Sequence, residues 1–404
     1  MIKNIVIVND FAHADGGAGK VAIDVATALA NKYNVYFLTS VPPIDIRLQC
    51  PNVNVVCMGK PDILHDKNKR RAIFKGLWDS HAKKEMSKIL SNLNKDETIV
   101  HVHTWTKALS SAIFHVTAKM DFHLVLTLHD FFAFCPNGGF FDYKEKKICE
   151  RTSLSCKCVF TNCDARSYSQ KIWRTLRLYI QNKTLWSNKK ITLLYISELC
   201  KNVSLPYIPK GTRMMYLPDP VDLGDNETVN VSNNEYYLYL GRLSPEKGAD
   251  LFCKALTELG LKGLLVGDGY TKQELQKKYP HMEFAGWASG ERKKQLMRCA
   301  KALVFPSLLY ETFGLTVAEA KSYGIPCIVP NRCAASEQVE DGGTGYIFKT
   351  GDVESLKEAI IKYENTDIAK MQKNIIDSFN PKDLSMENHL KRLLDIYNRI
   401  LDEK

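Results

Sequence analysis

Two glutamates, Glu311 and Glu319, bracket the segment Thr312-Phe313-Gly314-Leu315-Thr316-Val317-Ala318. If Glu311 precedes a helix and Glu319 lies two turns into it, both carboxylates face one cleft, where they can accept hydrogen bonds from vicinal sugar hydroxyls. Phe313-Gly314-Leu315 then forms the helix N-terminus, whose free N–H groups favour an anion. Two glutamates without this flanking sequence would read as solvated helix carboxylates. A second loop, Gly241-Arg242-Leu243-Ser244-Pro245-Glu246-Lys247-Gly248, sets an Arg and a Lys five positions apart. The Arg fork and the mobile Lys charge suit a diphosphate, although alone they would equally be a solvated surface pair. Gly16-Gly17-Ala18-Gly19-Lys20 follows a first strand and opens a helix. It lacks the earlier glycine and the Ser/Thr of a phosphate-binding P-loop and does not fit G-x-G-x-x-G. It reads either as a close backbone approach to a ligand or as a simple tight turn. Thr127-Leu128-His129-Asp130 ends an apolar run and puts a His at a cleft mouth, with Asp130 as its candidate orienting acid. Neighbouring strand residues point to opposite faces, which weighs against that pairing. His101 and His103 have a metal-ligand spacing but no evident carboxylate or Cys partner.

These groups need a scaffold that brings loop ends together. Short β-rich runs (Ile5–Val8, Val35–Thr39, Val53–Met58, Ile99–Val102, Leu124–Leu128 and Leu193–Ile196) alternate with helical patterns such as Val21–Asn31. A second series, Tyr236–Leu240, Gly263–Val266, Met282–Phe284, Ala302–Phe305 and Pro326–Val329, alternates with Ala249–Leu259 and Leu315–Ser322. Alternation of this kind predicts parallel sheets covered on both faces, and two series predict two doubly wound α/β lobes. The expected division is a first lobe at 1–222 with a Cys-rich insert at 131–190, a second lobe at 223–382, and a C-terminal helix at 383–404 that packs back toward the first lobe. The polar stretch 223–234 is the expected hinge.

The 404 residues carry ordinary globular proportions, 45% hydrophobic and 25% charged, which excludes a disordered, collagen-like or coiled-coil chain. No run of ~18 apolar residues predicts a membrane-spanning helix, and MIKNIVIVND reads as a buried strand rather than a signal peptide. The expected location is the cytoplasm. The net charge of +10 is uneven: residues 1–210 hold 30 Lys and Arg against 17 Asp and Glu, and the remainder 25 against 28. A basic first half suggests an anionic partner. In 67–88 and 166–190, basic residues interleave with Phe74, Trp78, Trp173, Tyr179 and Trp186. That pattern suits either an anionic bilayer surface, giving peripheral attachment on the inner face of the cell membrane, or a solvated face over core aromatics. No nucleic-acid-binding motif accompanies the charge, so nucleic acid is not an expected partner. Five of the twelve cysteines, Cys135, Cys149, Cys156, Cys158 and Cys163, fall in the insert. Cys135, Cys149, Cys158 and Cys163 could hold a structural zinc, but the absence of a C-x2-C pair leaves reduced buried thiols as the alternative.

Taken in order, seven features carry a resemblance: Gly16-Gly17; His129-Asp130; Asp219-Pro220-Val221-Asp222; Gly241-Arg242 with Lys247-Gly248; Val266-Gly267-Asp268-Gly269; Gly286-Trp287; and Glu311/Glu319 with Phe313-Gly314. Over nearly its whole length the chain resembles a family 4 (group 1) nucleotide-sugar glycosyltransferase with the two-lobed GT-B fold. The resemblance implies that Arg242 and Lys247 neutralise the pyrophosphate of a UDP- or GDP-linked donor, with backbone N–H groups at Gly17, Gly314 and Leu315. It implies that Glu319 binds the ribose, that Glu311 contacts the transferred sugar, and that Gly267, Trp287 and Phe313 complete the donor site, Trp287 bordering the base. His129 would help place the sugar, and Gly16, His129 and Asp130 would face the acceptor. Retention of anomeric configuration is implied too, with the phosphate oxygen accepting the acceptor's proton. No cofactor is implied for catalysis; the missing Asp-x-Asp fits metal independence. The acceptor implied is a saccharide, lipid-linked in surface polysaccharide (capsule, O-antigen or exopolysaccharide) synthesis. The alternatives are a GT-B enzyme with a soluble acceptor, namely a glycoside synthase or a phosphorylase, and a nucleic-acid-binding protein.

Overall fold

The computed structural model describes residues 1–221 and 228–402. Asp222 and the first part of the expected hinge, 223–227, lie outside the described residues. Apolar runs in the first half form seven strands: β1 (Asn4–Val8), β2 (Asn34–Thr39), β3 (Val53–Cys57), β4 (Thr98–Val102), β5 (His123–Thr127), β6 (Ile191–Tyr195) and β7 (Arg213–Tyr216). They pair in parallel in the order β3-β2-β1-β4-β5-β6-β7. A second parallel sheet holds β8 (Tyr236–Leu240), β9 (Gly263–Val266), β10 (Glu283–Gly286), β11 (Ala300–Val304), β12 (Cys327–Pro330) and β13 (Gly345–Phe348), in the order β10-β9-β8-β11-β12-β13. Both faces of each sheet are covered, which is why the central strands read as unbroken apolar runs such as Ile5-Val6-Ile7-Val8, all buried.

Strand order reverses between β1 and β4 and again between β8 and β11. Loops that leave opposite faces at such a reversal open a crevice at the carboxyl ends of the strands. The Gly16 loop follows β1, the Gly241–Gly248 loop follows β8, and the 306–314 segment follows β11, so the fold aims all three at one place.

Several elements departed from the sequence pattern. β7 and β13 were not evident as strands: Arg213-Met214-Met215-Tyr216 is only half-buried at a sheet edge, and Gly345-Tyr346-Ile347-Phe348 opens on a glycine. The basic stretch 67–88 holds helix Lys69–Leu77 and most of helix Ser80–Leu90, divided where the Asp79 carboxylate caps the His81 and Ala82 N–H groups. Much of the second basic stretch is one helix, Tyr168–Leu185, capped by Ser167. Among the described residues no helix is long and apolar enough to cross a membrane.

The helix Met386–Asp402 is strongly amphipathic and returns to the first sheet. Its Leu393, Ile396, Tyr397 and Ile400 are buried with Ile5, Ile7, Ile99 and Val125. Tyr397 also reaches polar ground there, its hydroxyl 2.6 Å from His101 Nδ1, while His101 Nε2 lies 2.7 Å from Thr127 Oγ1. Both nitrogens of His101 are thus engaged by hydroxyls. The lobes also share a small apolar cluster, in which Phe313 and Ala318 pack with Ile196 and Val221.

Removing the Tyr397 hydroxyl leaves a buried imidazole nitrogen without its partner. Tyr397→Phe is expected to destabilise the protein by about 1–3 kcal/mol, read as a lower urea midpoint at unchanged slope. An unshifted midpoint would show that this bond does not hold the C-terminal helix.

Candidate functional site

The Gly241–Gly248 loop is shaped by backbone-to-backbone contact. Gly241 N–H donates to the Val266 carbonyl, and Leu243 N–H to that of Asp268. Such contact leaves no room for side chains: a Cβ at Gly267, whose φ is +148°, would sit 1.9 Å from the Gly241 carbonyl oxygen. At Gly248, with φ +73°, it would sit 2.0 Å from that of Pro306. These glycines let three loops lie against one another, with Arg242 presented at the crevice.

Between the lobes lies a cavity of about 480 Å³. Gly16, Gly17, Arg242, Gly267, Trp287, Leu315 and Glu319 all line it, as do Lys20 and Lys293. The lobes come close here, since a Cβ at Gly17 would be 2.8 Å from Leu315 Cδ1. Helix Leu315–Ser322 starts at this wall and directs its first-turn N–H groups toward the crevice. Trp287 is 75% exposed, an indole face open at the rim. Glu319 Oε1 accepts a hydrogen bond from Lys293 at 2.6 Å.

Lys247 and Glu311 meet each other: the ammonium forms an ion pair with Glu311 Oε1, which also accepts from the Ser307 hydroxyl at 2.7 Å. Burial alone would push the Glu311 carboxyl up, but Lys247, Ser307 and the nearby charge of Arg242 hold it below its ordinary value. The carboxylate is therefore ionised.

His129 takes a different position from the one expected. Its side chain is only 4% exposed, and both ring nitrogens are engaged, Nδ1 3.2 Å from Asp219 Oδ2 and Nε2 2.9 Å from His103 Nδ1. Asp219 is thus the orienting acid, and Asp130 is not. Asp130 Oδ1 instead accepts from Phe132 N–H, forming the turn into the insert. Both His129 and Asp130 lie beyond the end of β5 at Thr127, and the Asp130 side chain turns back onto the backbone of its own loop. The backbone carbonyl of His129 accepts from Thr312 Oγ1 at 2.7 Å, which ties the first lobe to the residue after Glu311. Phe313 is likewise corrected: its side chain packs in the apolar inter-lobe cluster and does not line the cavity. His103 was overlooked as a partner of His129. The His-x-His spacing flagged it, but for metal, and its partner lay on another strand.

Among the described residues no three His, Cys, Asp or Glu side chains are placed to hold a metal ion. The zinc expectation for Cys135, Cys149, Cys158 and Cys163 therefore lacks an assembled ligand set there. The sulfurs have donors as neighbours: Lys171 Nζ lies 3.3 Å from Cys158 Sγ, Asn137 Nδ2 3.2 Å from Cys163 Sγ and Arg151 Nη1 3.5 Å from Cys149 Sγ. Burial pushes the Cys135 thiol up to about 11, so it stays protonated at neutral pH.

The architecture is the GT-B fold, two Rossmann-like lobes about a cleft. It superimposes on sucrose-phosphate synthase from Thermosynechococcus elongatus with a TM-score of 0.72 at 16% identity, covering 100% of both chains. It also superimposes on the Anabaena protein HepE in complex with UDP and glucose, with a TM-score of 0.65 at 16% identity, covering 98% of this chain and 100% of that one. Residues 225–378 match the family described as glycosyl transferases group 1, and the chain carries a domain of that family. Among curated relatives, the Escherichia coli UDP-Gal:alpha-D-GlcNAc-diphosphoundecaprenol alpha-1,3-galactosyltransferase is 24% identical over 209 residues, 46% of this chain and 52% of the relative. The chain spans about half the length of the curated relatives it matches.

Burial lowers the pKa of His129, but Asp219 outweighs it and raises the value above ordinary. A histidine raised in the folded state adds stability that is full below its unfolded pKa and is lost as pH rises through the folded one. Asp219→Asn should therefore destabilise the protein more at about pH 5.5 than at about pH 8.5, measured by urea unfolding at both. A difference that does not change with pH would remove the ion pair from the account.

Proposed function

We propose that the chain is a retaining glycosyltransferase that moves a sugar from a nucleoside-diphosphate sugar, UDP- or GDP-linked, to a saccharide acceptor without a catalytic metal. The observation that carries this reading is the inter-lobe cavity, where Arg242, the start of helix Leu315–Ser322 and the Glu319 carboxylate share one wall system beside the Lys247–Glu311 pair. As the sugar leaves, negative charge grows on the β-phosphate and positive charge on the anomeric carbon. Arg242, Lys247 and the helix N-terminus stabilise the first, the role a metal ion would otherwise fill. Glu311 stabilises hydroxyls of the transferred sugar, and Glu319 takes the ribose. An arriving diphosphate competes with Glu311 for Lys247, and the carboxylate is thereby released to the sugar. His129, held between Asp219 and His103, acts from beneath the sugar site as a positioning group. Same-face attack follows, with a donor phosphate oxygen accepting the acceptor's proton.

The acceptor in this reading is lipid-linked, in surface polysaccharide synthesis, and the first lobe docks on an anionic membrane surface from the cytoplasmic side. The name of the galactosyltransferase above, with its diphosphoundecaprenol acceptor, supports the acceptor class. Exposed apolar side chains support the docking. Phe74 is 73% exposed on the helix that also carries Lys69, Arg70 and Arg71, and Leu176 and Tyr179 are exposed on the adjoining helix Tyr168–Leu185. The two helices are joined where Trp173 Nε1 donates to the Ile73 carbonyl at 3.1 Å. Such a face binds by apolar insertion plus attraction to acidic headgroups.

A nucleoside diphosphate that binds the folded state raises the melting temperature, so UDP or GDP is expected to do so, and Arg242→Ala to abolish the shift. Arg242→Ala and Glu311→Gln should each cut transfer from the stabilising sugar nucleotide by about 10²–10³-fold, with the Arg242→Ala melting temperature unchanged because that side chain is exposed. Wild-type rates in both variants would refute the reading. Pelleting with anionic vesicles at low salt should fall on Phe74→Ser; equal pelleting with neutral vesicles would discard the membrane surface.

A further inference from the structure

A second cavity, of about 930 Å³, opens between the insert and the second lobe. Its insert wall carries Lys146, Lys147, Arg151 and Lys157, and its second-lobe wall carries Arg332; Glu150 is the one carboxylate among them. One buried acid arranges much of this charge. Asp142 Oδ1 accepts from the Lys144 and Glu145 N–H groups, which turns the hairpin Phe141–Asp142/Lys147–Ile148, and Asp142 Oδ2 accepts from Arg151 Nη1 at 2.8 Å. Arg332 is fixed from the other side by the Tyr310 hydroxyl at 2.8 Å and by Glu150 at 3.0 Å. Lys147 has only a loose exposed pair with Glu145 at 3.6 Å. Among the described residues, the ammonium groups of Lys146 and Lys157 have no carboxylate partner. With Arg151 paired to Asp142, Arg332 to Glu150 and Lys147 loosely to Glu145, the ammonium groups of Lys146 and Lys157 leave two positive charges at the cavity, a place for an anion carrying more than a single charge.

The same segment lends walls to both cavities. Leu308 belongs to this one, while Leu315 and Glu319 line the inter-lobe cleft. Glu311 lies between them, and its carbonyl accepts from Ala334 N–H, two residues beyond Arg332. A molecule anchored in the larger cavity is thus held beside the loop that carries Glu311.

We propose that this cavity binds the phosphate or diphosphate group of the acceptor, which makes the acceptor a phosphorylated saccharide. The inference rests on the transferase reading above. Ammonium point charges and Arg forks match phosphate oxygens, and a ligand with one carboxylate would balance only one of the two unpartnered ammonium groups. The volume exceeds that of a diphosphate and admits an attached sugar. A lipid carrier and a soluble sugar phosphate present the same phosphate chemistry, and the test below tells them apart.

The test uses the full chain saturated with UDP, so that the donor cleft is filled. Inorganic pyrophosphate is then titrated by calorimetry into wild type and into Lys146→Glu/Lys157→Glu, whose side chains make no buried contacts that folding needs. Pyrophosphate is expected to bind the UDP-loaded wild type and to bind the double variant at least about tenfold more weakly, with UDP affinity unchanged. Tighter binding of geranyl phosphate than of glucose 1-phosphate, two monophosphates, assigns a lipid-linked acceptor, and the reverse order a soluble one. No binding of pyrophosphate to the UDP-loaded protein, equal binding to the variant, or glucuronate binding as tightly as pyrophosphate would overturn the proposal while leaving the donor site standing. Failure of every nucleoside diphosphate to bind would instead remove the transferase reading, and this inference with it.

Discussion

Opposite charges meet at the centre of this molecule, where Lys247 and Glu311 pair between loops that follow β8 and β11. Neither group could be set there unpaired. A carboxylate taken from water without a partner would protonate, and a lone cation beside Arg242 would be repelled by it. Pairing keeps the carboxylate ionised in the absence of ligand. In the function proposed above the pair is exchangeable, because a diphosphate offers Lys247 more negative charge than one carboxylate does. The remaining architecture serves to bring these two side chains within reach of each other and of the helix N-terminus at Leu315.

That requirement explains why the glycines matter more than their number suggests. Loops from adjacent strands can converge on one point only where backbone passes directly over backbone. Gly267 under Gly241 and Gly248 under Pro306 are such crossings. Side chains there would lift the Arg242 and Lys247 loop away from the crevice. The site is therefore built by what is omitted from the sequence at these positions as much as by the charged residues beside them.

The second sheet was largely legible, with β8, β9 and the helices Ala249–Leu259 and Leu315–Ser322 at the expected bounds, because their apolar runs are flanked by glycine and proline. Legibility failed where a role depends on a distant partner. Nothing local to His129 shows that Asp219, ninety positions on, turns its ring, or that His103 closes the other side. Phe313 fails in the opposite sense: its neighbours in sequence belong to a binding loop, while its side chain serves the contact between lobes. The basic stretches were legible as charge but not as shape. The cations that line the larger cavity lie outside both stretches, mostly on and beside a hairpin turn that the buried Asp142 holds.

The histidine cluster shows how one region of the chain can serve stability and the site together. His101 joins β4 to the C-terminal helix through Tyr397, and His389 on that helix lies 2.9 Å from the Pro218 carbonyl, next to the acid that orients His129. His101, His103 and His389 are all held below their ordinary pKa, chiefly by burial, whereas Asp219 raises that of His129. A single proton in the cluster accordingly resides on His129. There it stabilises the pair with Asp219, and Nε2–H donates to His103 Nδ1. The C-terminal helix thus does more than cover an apolar face. By docking through His101 and His389, it fixes the buried polar layer in which His129 is set.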